Sequence, residues 1–212
     1  MSSAASRQPP ADRPTTAGKL VIISGPSGVG KSTLVPLVRE RFGSALRMSV
    51  SATTRPPRPG EVDGENYYFL ADEEFQRRRA GGEFIESIEV FGRGHWYGTL
   101  QDEVLPRLQQ GIWVILEIDI AGAERVTPQY PEAVTIFIAP AEDAEESIAE
   151  LERRLRTRGT ESEEAIQRRL EVARRELAAS DRYAHLVVNR NIDEAVEQMS
   201  TVLQTAGLVP AK

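Results

Sequence analysis

Residues Gly25–Ser32 read Gly-Pro-Ser-Gly-Val-Gly-Lys-Ser and decide the fold class of this chain. They match the phosphate-binding pattern G-x-x-x-x-G-K-[ST], and they follow the apolar run Leu20–Ile23 and precede a predicted helix at Lys31–Phe42. The glycines allow a tight turn that brings backbone N–H groups to phosphate oxygens, and the helix adds the positive end of its dipole. We therefore expect a strand, a phosphate-binding loop and a helix that together bind a nucleoside triphosphate with Mg²⁺.

The composition limits the other possibilities. The chain has 212 residues and a net charge of −6, so it offers no overall attraction to nucleic acid or to an anionic membrane. It has no cysteine, which excludes disulfides and thiolate metal sites and fits a reducing cytoplasm. No apolar run approaches the ~20 residues that span a bilayer, and the N-terminus lacks the apolar core of a signal peptide. We expect a cytoplasmic protein with no nucleic-acid, membrane or obligate protein partner.

Strands and helices alternate along most of the chain, which predicts a parallel sheet flanked by helices. The apolar runs Ile112–Ile118 and Ala133–Ile138 are typical of strands covered on both faces. A short strand at Arg47–Ser51 and a helix at Val104–Gln110 are also predicted. Residues 1–17 carry no large apolar side chain beyond Met1 and are expected to form a disordered tail.

A second cluster of charge lies in a loop that prolines stiffen. Arg55 and Arg58 stand in this loop, and arginine pairs bidentately with phosphate. Since the first loop already accounts for the triphosphate, a second rigid arginine pair suggests a second anionic substrate. Taken alone, the cluster is equally compatible with a solvated basic loop.

Two further groups of charged residues have competing interpretations. Glu117 and Asp119 end an apolar strand, where ligands of α/β sheets gather, and a carboxylate there can hold Mg²⁺ through water. The arginines between residues 153 and 169 alternate with glutamates, and for Arg153, Arg156 and Arg168 we favour simple pairing along a helix.

Taken in order, these motifs resemble those of the guanylate kinase family over residues 20–203. The resemblance rests on the stretches Ser24–Thr33, Ser49–Tyr67, Glu83–Glu86, Tyr97–Thr99, Ile118–Asp119 and Arg158–Glu161.

The resemblance implies an α/β fold with a phosphate-binding parallel sheet, an inserted small mixed α/β lobe that binds GMP, and a helical lid. It implies one domain at residues 18–208, with its core at 18–50 and 100–208, the GMP-binding lobe at 51–99 and the lid at 155–169. The implied reaction is Mg²⁺-dependent transfer of the γ-phosphoryl group of ATP to GMP, and also to dGMP. Because positioning and electrostatics supply most of this catalysis, no protein nucleophile is needed.

The resemblance also assigns roles to individual residues. The catalytic residues are Lys31, Arg55, Arg154, Arg158 and Arg169. The ATP-binding residues are Gly25, Pro26, Ser27, Gly28, Val29, Gly30, Lys31, Ser32, Thr33 and Asn189. The GMP-binding residues are Ser51, Arg55, Arg58, Glu61, Tyr67, Glu86, Tyr97, Thr99 and Asp119. Ser32 and, through water, Glu117 are expected to hold Mg²⁺.

Guanine selectivity is assigned by the resemblance to Glu86, which would accept hydrogen bonds from N1–H and the 2-amino group. Adenine has neither donor, so it would leave this carboxylate unpaired. Ser51 and Thr99 would donate to guanine O6. By itself, a lone glutamate on a strand more often lies on a solvated face.

The chain departs from the common pattern of the family at two places. Glu117 stands where many members carry aspartate, and the turn at residues 92–97 is two residues longer. Two alternatives remain beside the kinase reading. One is a catalytically silent guanylate-kinase-like interaction module, which the intact phosphate-binding loop argues against. The other is a kinase with the same loop that acts on another small phosphorylated acceptor, which Glu86 and Ser51 argue against.

Overall fold

The computed structural model of the chain describes residues 18–90, 94–159 and 162–210. The predicted disordered tail at residues 1–17 lies outside the described residues. So do Gly92 and Arg93 of the long turn, Thr160 and Glu161 of the last motif, and the side chain of Arg158.

A parallel sheet forms the centre of the described part of the molecule. Its five strands have the order β2-β7-β1-β8-β9, and each neighbouring pair is parallel. The predicted parallel α/β sheet is therefore confirmed. The strands are β1 (Leu20–Ser24), β2 (Leu46–Met48), β7 (Trp113–Glu117), β8 (Val134–Ala139) and β9 (His185–Val188).

Helices cover this sheet, as expected. The helices of the described residues are α1 (Lys31–Phe42), α2 (Asp72–Ala80), α3 (Gln101–Gln109), α4 (Ile120–Val126), α5 (Ala144–Arg158), α6 (Glu163–Leu177) and α7 (Ile192–Thr205). Among the described residues, no helix combines the length and apolar character that crossing a membrane requires.

Strand β1 shows why both sheet faces are apolar. Side chains alternate between the faces of a strand, so Val21 and Ile23 pack with α1 and α7. Leu20 and Ile22 point to the opposite face and pack with α3 and α4. A helix-covered sheet thus buries every residue of β1, which explains the unbroken apolar run before the loop.

A second, smaller sheet lies beside the first. Its strand order is β4-β3-β6-β5, with one parallel and two antiparallel pairings. Helix α2 packs against it through the buried Phe75. These elements form the small mixed α/β lobe expected for residues 51–99, although the exact domain boundaries stay a prediction. The strands are β3 (Ser51–Thr53), β4 (Tyr68–Phe69), β5 (Phe84–Val90) and β6 (His95–Leu100).

The prediction of one strand at Arg47–Ser51 is wrong. Strand β2 ends at Met48 and pairs with β7, whereas β3 begins at Ser51 and pairs with β6. Between them, the Ser49 hydroxyl donates to the carbonyl oxygen of Ile115 at 3.1 Å. The chain therefore leaves the central sheet and enters the second one within two residues, which brings Ser51 next to the carboxyl end of β7.

Sequence periodicity also misplaced the start of one helix and missed another. Helix α3 begins at Gln101, and not at Val104, and the seven-residue helix α4 was not predicted at all. Two turns are too short to show a clear apolar repeat. Asp119 is the N-cap of α4, and its carboxylate accepts a hydrogen bond from the backbone N–H of Gly122 at 2.8 Å. This cap fixes the orientation of Asp119.

Candidate active site

The phosphate-binding loop connects β1 to α1 and depends on glycine at two close approaches. Gly25 has φ +149°, and a Cβ atom there would lie 2.3 Å from the carbonyl oxygen of Ile138. Gly30 has φ +106°, and a Cβ atom there would lie 2.5 Å from Nδ2 of Asn189. No L side chain fits either position without moving its neighbours. The loop is therefore pressed against the ends of β8 and β9, which set its shape.

Lys31, the first residue of α1, turns back over the loop. Its ammonium donates to the carbonyl oxygen of Gly25 at 2.5 Å and to that of Pro26 at 3.3 Å. Burial lowers the pKa of Lys31, and the negative charges of Glu117 and Glu176 act in the opposite direction. The lysine is thus a largely buried cation placed between the loop and two carboxylates.

Arginines from α5 and α6 contact this loop. Arg154 donates through Nη2 to the carbonyl oxygen of Asn189 at 2.8 Å and through Nη1 to that of Val29 at 3.3 Å. Arg169 donates through Nη2 to the Ser27 hydroxyl oxygen at 2.8 Å. The structure therefore brings two of the three predicted catalytic arginines of α5 and α6 to the triphosphate loop. The third, Arg158, ends α5, and its side chain lies outside the described part.

Asn189 follows β9 and is buried at the base of the loop. Its side-chain amide donates to the carbonyl oxygen of Val29 at 2.7 Å. In this structure Asn189 supports the loop backbone, and its predicted contact with ATP stays a prediction.

The second arginine cluster is organised around Glu61. The Arg55 guanidinium donates to both Glu61 carboxylate oxygens at 2.9 Å, and its Nε donates to the Tyr97 hydroxyl oxygen at 3.3 Å. The hydrogen bonds from Arg55 hold the pKa of Glu61 below its usual range. Arg55 also lies over the Tyr67 ring, 5.4 Å from its centroid. Arg58 is exposed on the same loop, and its backbone N–H donates to Glu61 at 2.7 Å.

A cavity of about 210 Å³ lies between the two sheets, and most of the residues predicted to bind GMP line it. It is closed on one side by the second sheet and on the other by the end of β7. The predicted site residues that line it are Ser51, Tyr67, Glu86, Tyr97, Glu117 and Asp119.

Glu86 is the buried acid of this cavity and is only 6% exposed. Burial raises its pKa to about 7, and the nearby charge of Asp119 adds to the shift. The Thr99 hydroxyl donates to Glu86 Oε1 at 2.9 Å and favours the ionised form. Glu86 therefore does not lie on a solvated strand face. It is a desolvated carboxylate that gains free energy from any ligand donating hydrogen bonds to it.

The residues predicted to hold Mg²⁺ lie at the carboxyl end of β7 and at the start of α1. Glu117 ends β7, and burial raises its pKa while the charge of Lys31 lowers it. Among the described residues, no group of three or more His, Cys, Asp or Glu side chains could hold a metal ion by itself. One hydroxyl and one carboxylate fit Mg²⁺, which keeps several waters and takes other ligands from substrate phosphates.

Sequence reasoning missed Glu176, which lies on α6 and faces the loop. Burial raises the pKa of its carboxyl group, while the charge of Lys31 and the backbone N–H of Ser27 lower it. The sequence carries no signal for it, because α6 alternates glutamates and arginines throughout. Only burial in the folded chain distinguishes Glu176 from its exposed neighbours.

Comparison with known proteins adds an independent finding. The family model described as "Guanylate kinase" matches residues 17–206. A guanylate kinase of Rhodopirellula baltica is 50% identical over 195 residues, covering 91% of this chain and 90% of the relative. One of Synechococcus sp. is 47% identical over 190 residues, covering 90% and 84%. The crystal structure of guanylate kinase from Anaplasma phagocytophilum superposes with a TM-score of 0.70 at 31% identity, covering 92% of this chain and 89% of that one.

Proposed function

The chain belongs to the guanylate kinase family, and we propose how its two sites divide the work of the ATP-dependent phosphorylation of GMP. The products are ADP and GDP. The observation that carries this division is the desolvated Glu86 carboxylate in a cavity that Glu117 also lines, while the charge of Glu117 acts on Lys31 of the phosphate-binding loop. A loop that binds phosphate accounts for the donor, and a buried acid that needs hydrogen-bond donors accounts for the acceptor.

The donor site consists of the loop from Gly25 to Thr33 with Lys31 at its centre. Loop N–H groups and the α1 dipole would bind the phosphates of ATP, and Lys31 would leave its carbonyl partners for the β/γ-phosphates. The Ser32 hydroxyl would hold Mg²⁺ directly, and Glu117 would hold it through water. Bound Mg²⁺ neutralises charge on the transferred group and on the leaving phosphate.

In the acceptor site, the base and the phosphate of GMP would contact different sets of residues. Glu86 would accept from N1–H and the 2-amino group of guanine, while Ser51 would donate to O6. Thr99 would donate to O6 only after its hydroxyl proton leaves Glu86 Oε1, which it contacts in this structure. Asp119, held in place by its cap of α4, borders the same cavity. Adenine presents an acceptor at N1 and no 2-amino group, so AMP would leave a buried carboxylate unpaired.

The GMP phosphate would be held by Arg55, Arg58, Tyr67 and Tyr97. Glu61 already pairs with both outer nitrogens of Arg55, so it sets the direction of the guanidinium before substrate arrives. The Tyr97 hydroxyl adjoins Arg55 Nε and supplies a second polar contact. Two cations and two hydroxyls suit a phosphate dianion.

Catalysis in this scheme needs no covalent intermediate. The two sites would align the acceptor oxygen of GMP with the γ-phosphorus, and Lys31, Arg154, Arg158 and Arg169 would offset the charge of the transferred group. Closure of the lid at residues 155–169 would exclude water and so limit hydrolysis of ATP.

A coupled assay of ADP formation tests the proposal with GMP, dGMP, AMP, UMP or no acceptor, with Mg²⁺ and with excess EDTA. We expect turnover with GMP and dGMP, at least about 100-fold less with AMP, and loss of turnover in EDTA. Turnover only with a different phosphorylated acceptor would identify the other kinase class. No turnover with any acceptor, combined with retained nucleotide binding, would identify an interaction module.

We also propose that the enzyme acts on free nucleotides in the cytoplasm. The support is that its substrates ATP and GMP are small diffusible nucleotides that require no macromolecular partner. Cell fractionation followed by immunodetection tests this, and recovery in the membrane fraction would contradict it.

A further inference from the structure

Two residues of α6 contact the same residue of the phosphate-binding loop. Arg169 Nη2 donates to the Ser27 hydroxyl oxygen at 2.8 Å. The backbone N–H of Ser27 lies close enough to the Glu176 carboxylate to lower the pKa of that group. Arg169 and Glu176 lie two helical turns apart, so they share one face of α6. One face of α6 therefore adjoins both the hydroxyl and the backbone N–H of Ser27.

The second carboxylate oxygen of Glu176 is in an unusual position. Oε2 is buried and has no hydrogen-bond partner among the described residues. The charged group that faces it from α1 is Lys31, and Asp119 adds negative charge from the end of β7. An unsatisfied buried carboxylate oxygen costs free energy, so its presence in a folded protein requires an explanation. No role described so far uses Glu176.

We propose that Glu176 is a positioning residue for phosphoryl transfer, which fixes Ser27 of the loop through one carboxylate oxygen and directs the Lys31 ammonium through its negative charge. In this role the Glu176 carboxylate holds the Ser27 N–H and keeps the loop in shape before ATP binds. Because Arg169 is on the same helix face, the same contact sets the distance between the lid helix and the loop. This inference rests on the proposed function, since it concerns the donor half of that reaction.

Three variants separate the two parts of this role. Glu176→Gln keeps the side-chain volume and an acceptor for Ser27 but removes the negative charge. Glu176→Ala removes both. Glu171→Gln is the matched control, because Glu171 is exposed on the same helix and points in another direction.

Steady-state kinetics gives the first readout. We expect Glu176→Gln to lower kcat about 10-fold with KM for ATP nearly unchanged. The loop keeps its shape in this variant, but the negative charge that orients the Lys31 ammonium is lost. We expect Glu176→Ala to lower kcat about 100-fold and to raise KM for ATP about 10-fold. KM for GMP should stay within about twofold in both, and Glu171→Gln should match the wild type.

Hydrogen–deuterium exchange of the peptide that contains Ser27, measured without nucleotide, gives the second readout. Exchange should speed up in Glu176→Ala and stay slow in Glu176→Gln and Glu171→Gln. Wild-type kcat in Glu176→Ala, or equal exchange in all four proteins, overturns the inference. If Glu176→Ala does not fold, the kcat of Glu176→Gln tests the inference, and a wild-type value overturns it. A wild-type protein without GMP-dependent turnover would refute the proposed function, while the exchange data would still test the contact between Glu176 and Ser27.

Discussion

The phosphate-binding loop and the GMP cavity are built by different means. The loop is a single run of residues between β1 and α1, shaped by glycines and by backbone contacts with β8 and β9. The cavity takes Ser51 from β3, Glu86 from β5, Tyr97 from β6 and Asp119 from the end of β7. The loop recognises phosphate, which all nucleotides share, with backbone groups. The cavity recognises one base with side chains. Unlike backbone groups, each of these side chains can be changed by a single substitution.

Burial shifts the pKa of one group in each region, and the two shifts have opposite directions. It lowers the pKa of Lys31 in the loop and raises the pKa of Glu86 in the cavity, because it disfavours the charged form of each. Lys31 is compensated by two carboxylates and two carbonyl oxygens, whereas Glu86 receives one hydroxyl donor from Thr99. The charge of Lys31 is thus already compensated within the protein, whereas Glu86 would gain further hydrogen-bond donors from the substrate.

The largest expected effect is on the loop. Lys31→Ala should lower kcat by about 10³-fold, since it removes a buried cation from the transferred phosphoryl group. GMP affinity, measured by calorimetry without ATP, should change less than about twofold because the cavity is separate. If Lys31→Ala retains full activity, the donor role of the loop is wrong. If it loses GMP affinity as well, the two regions are not independent.

The next effect concerns the cavity. Glu86→Gln should lower kcat/KM for GMP about 100-fold and reduce the preference for GMP over AMP, because the amide is a weaker acceptor and brings its own donor. Glu89→Gln is the matched control on the exposed part of the same strand. Unchanged selectivity in Glu86→Gln would contradict the guanine contact.

The raised pKa of Glu86 predicts a pH effect on GMP affinity. The carboxylate must be ionised to accept two hydrogen bonds, so affinity should fall about 10-fold between pH 7.5 and pH 6 as Glu86 takes up a proton. The phosphate of GMP also titrates near this range, so calorimetry on Glu86→Gln provides the correction. A wild-type protein whose pH dependence equals that of the variant would show that Glu86 does not titrate here.

The smallest effect should come from Arg153, whose ion pair lies on the exposed surface of α5. Arg153 pairs with Glu150 on the exposed side of α5, at 2.7 Å. The next residue, Arg154, also pairs with Glu150 at 2.7 Å, and in addition it donates to the carbonyl oxygens of Asn189 and Val29. Arg153→Ala should leave kcat and the melting temperature unchanged within error. Arg154→Ala should lower kcat about 10-fold, because it releases the loop and removes a cation. Equal effects of the two substitutions would contradict the assignment of Arg153 to surface ion pairing and of Arg154 to catalysis.

Much of the fold was readable from the sequence. Strand β1 and helix α1 lie where the apolar run and the helical spacing predicted them. The break between Met48 and Ser51 was not readable, because both halves have the same strand-like composition and only their pairing partners differ. The expected pairing of Arg153 and Arg156 with glutamates on the helix surface is confirmed. It follows from local spacing alone.

The sequence by itself determined the phosphate-binding loop. Its chemistry lies in backbone N–H groups whose placement needs only a strand, glycines at fixed intervals and a helix, all within consecutive residues. Only the tertiary structure decided that Glu86 is a desolvated carboxylate beside Asp119 and that Glu176 reaches Ser27. The physical reason is that desolvation and charge proximity depend on what surrounds a side chain in space, and residues far apart in the chain provide those surroundings.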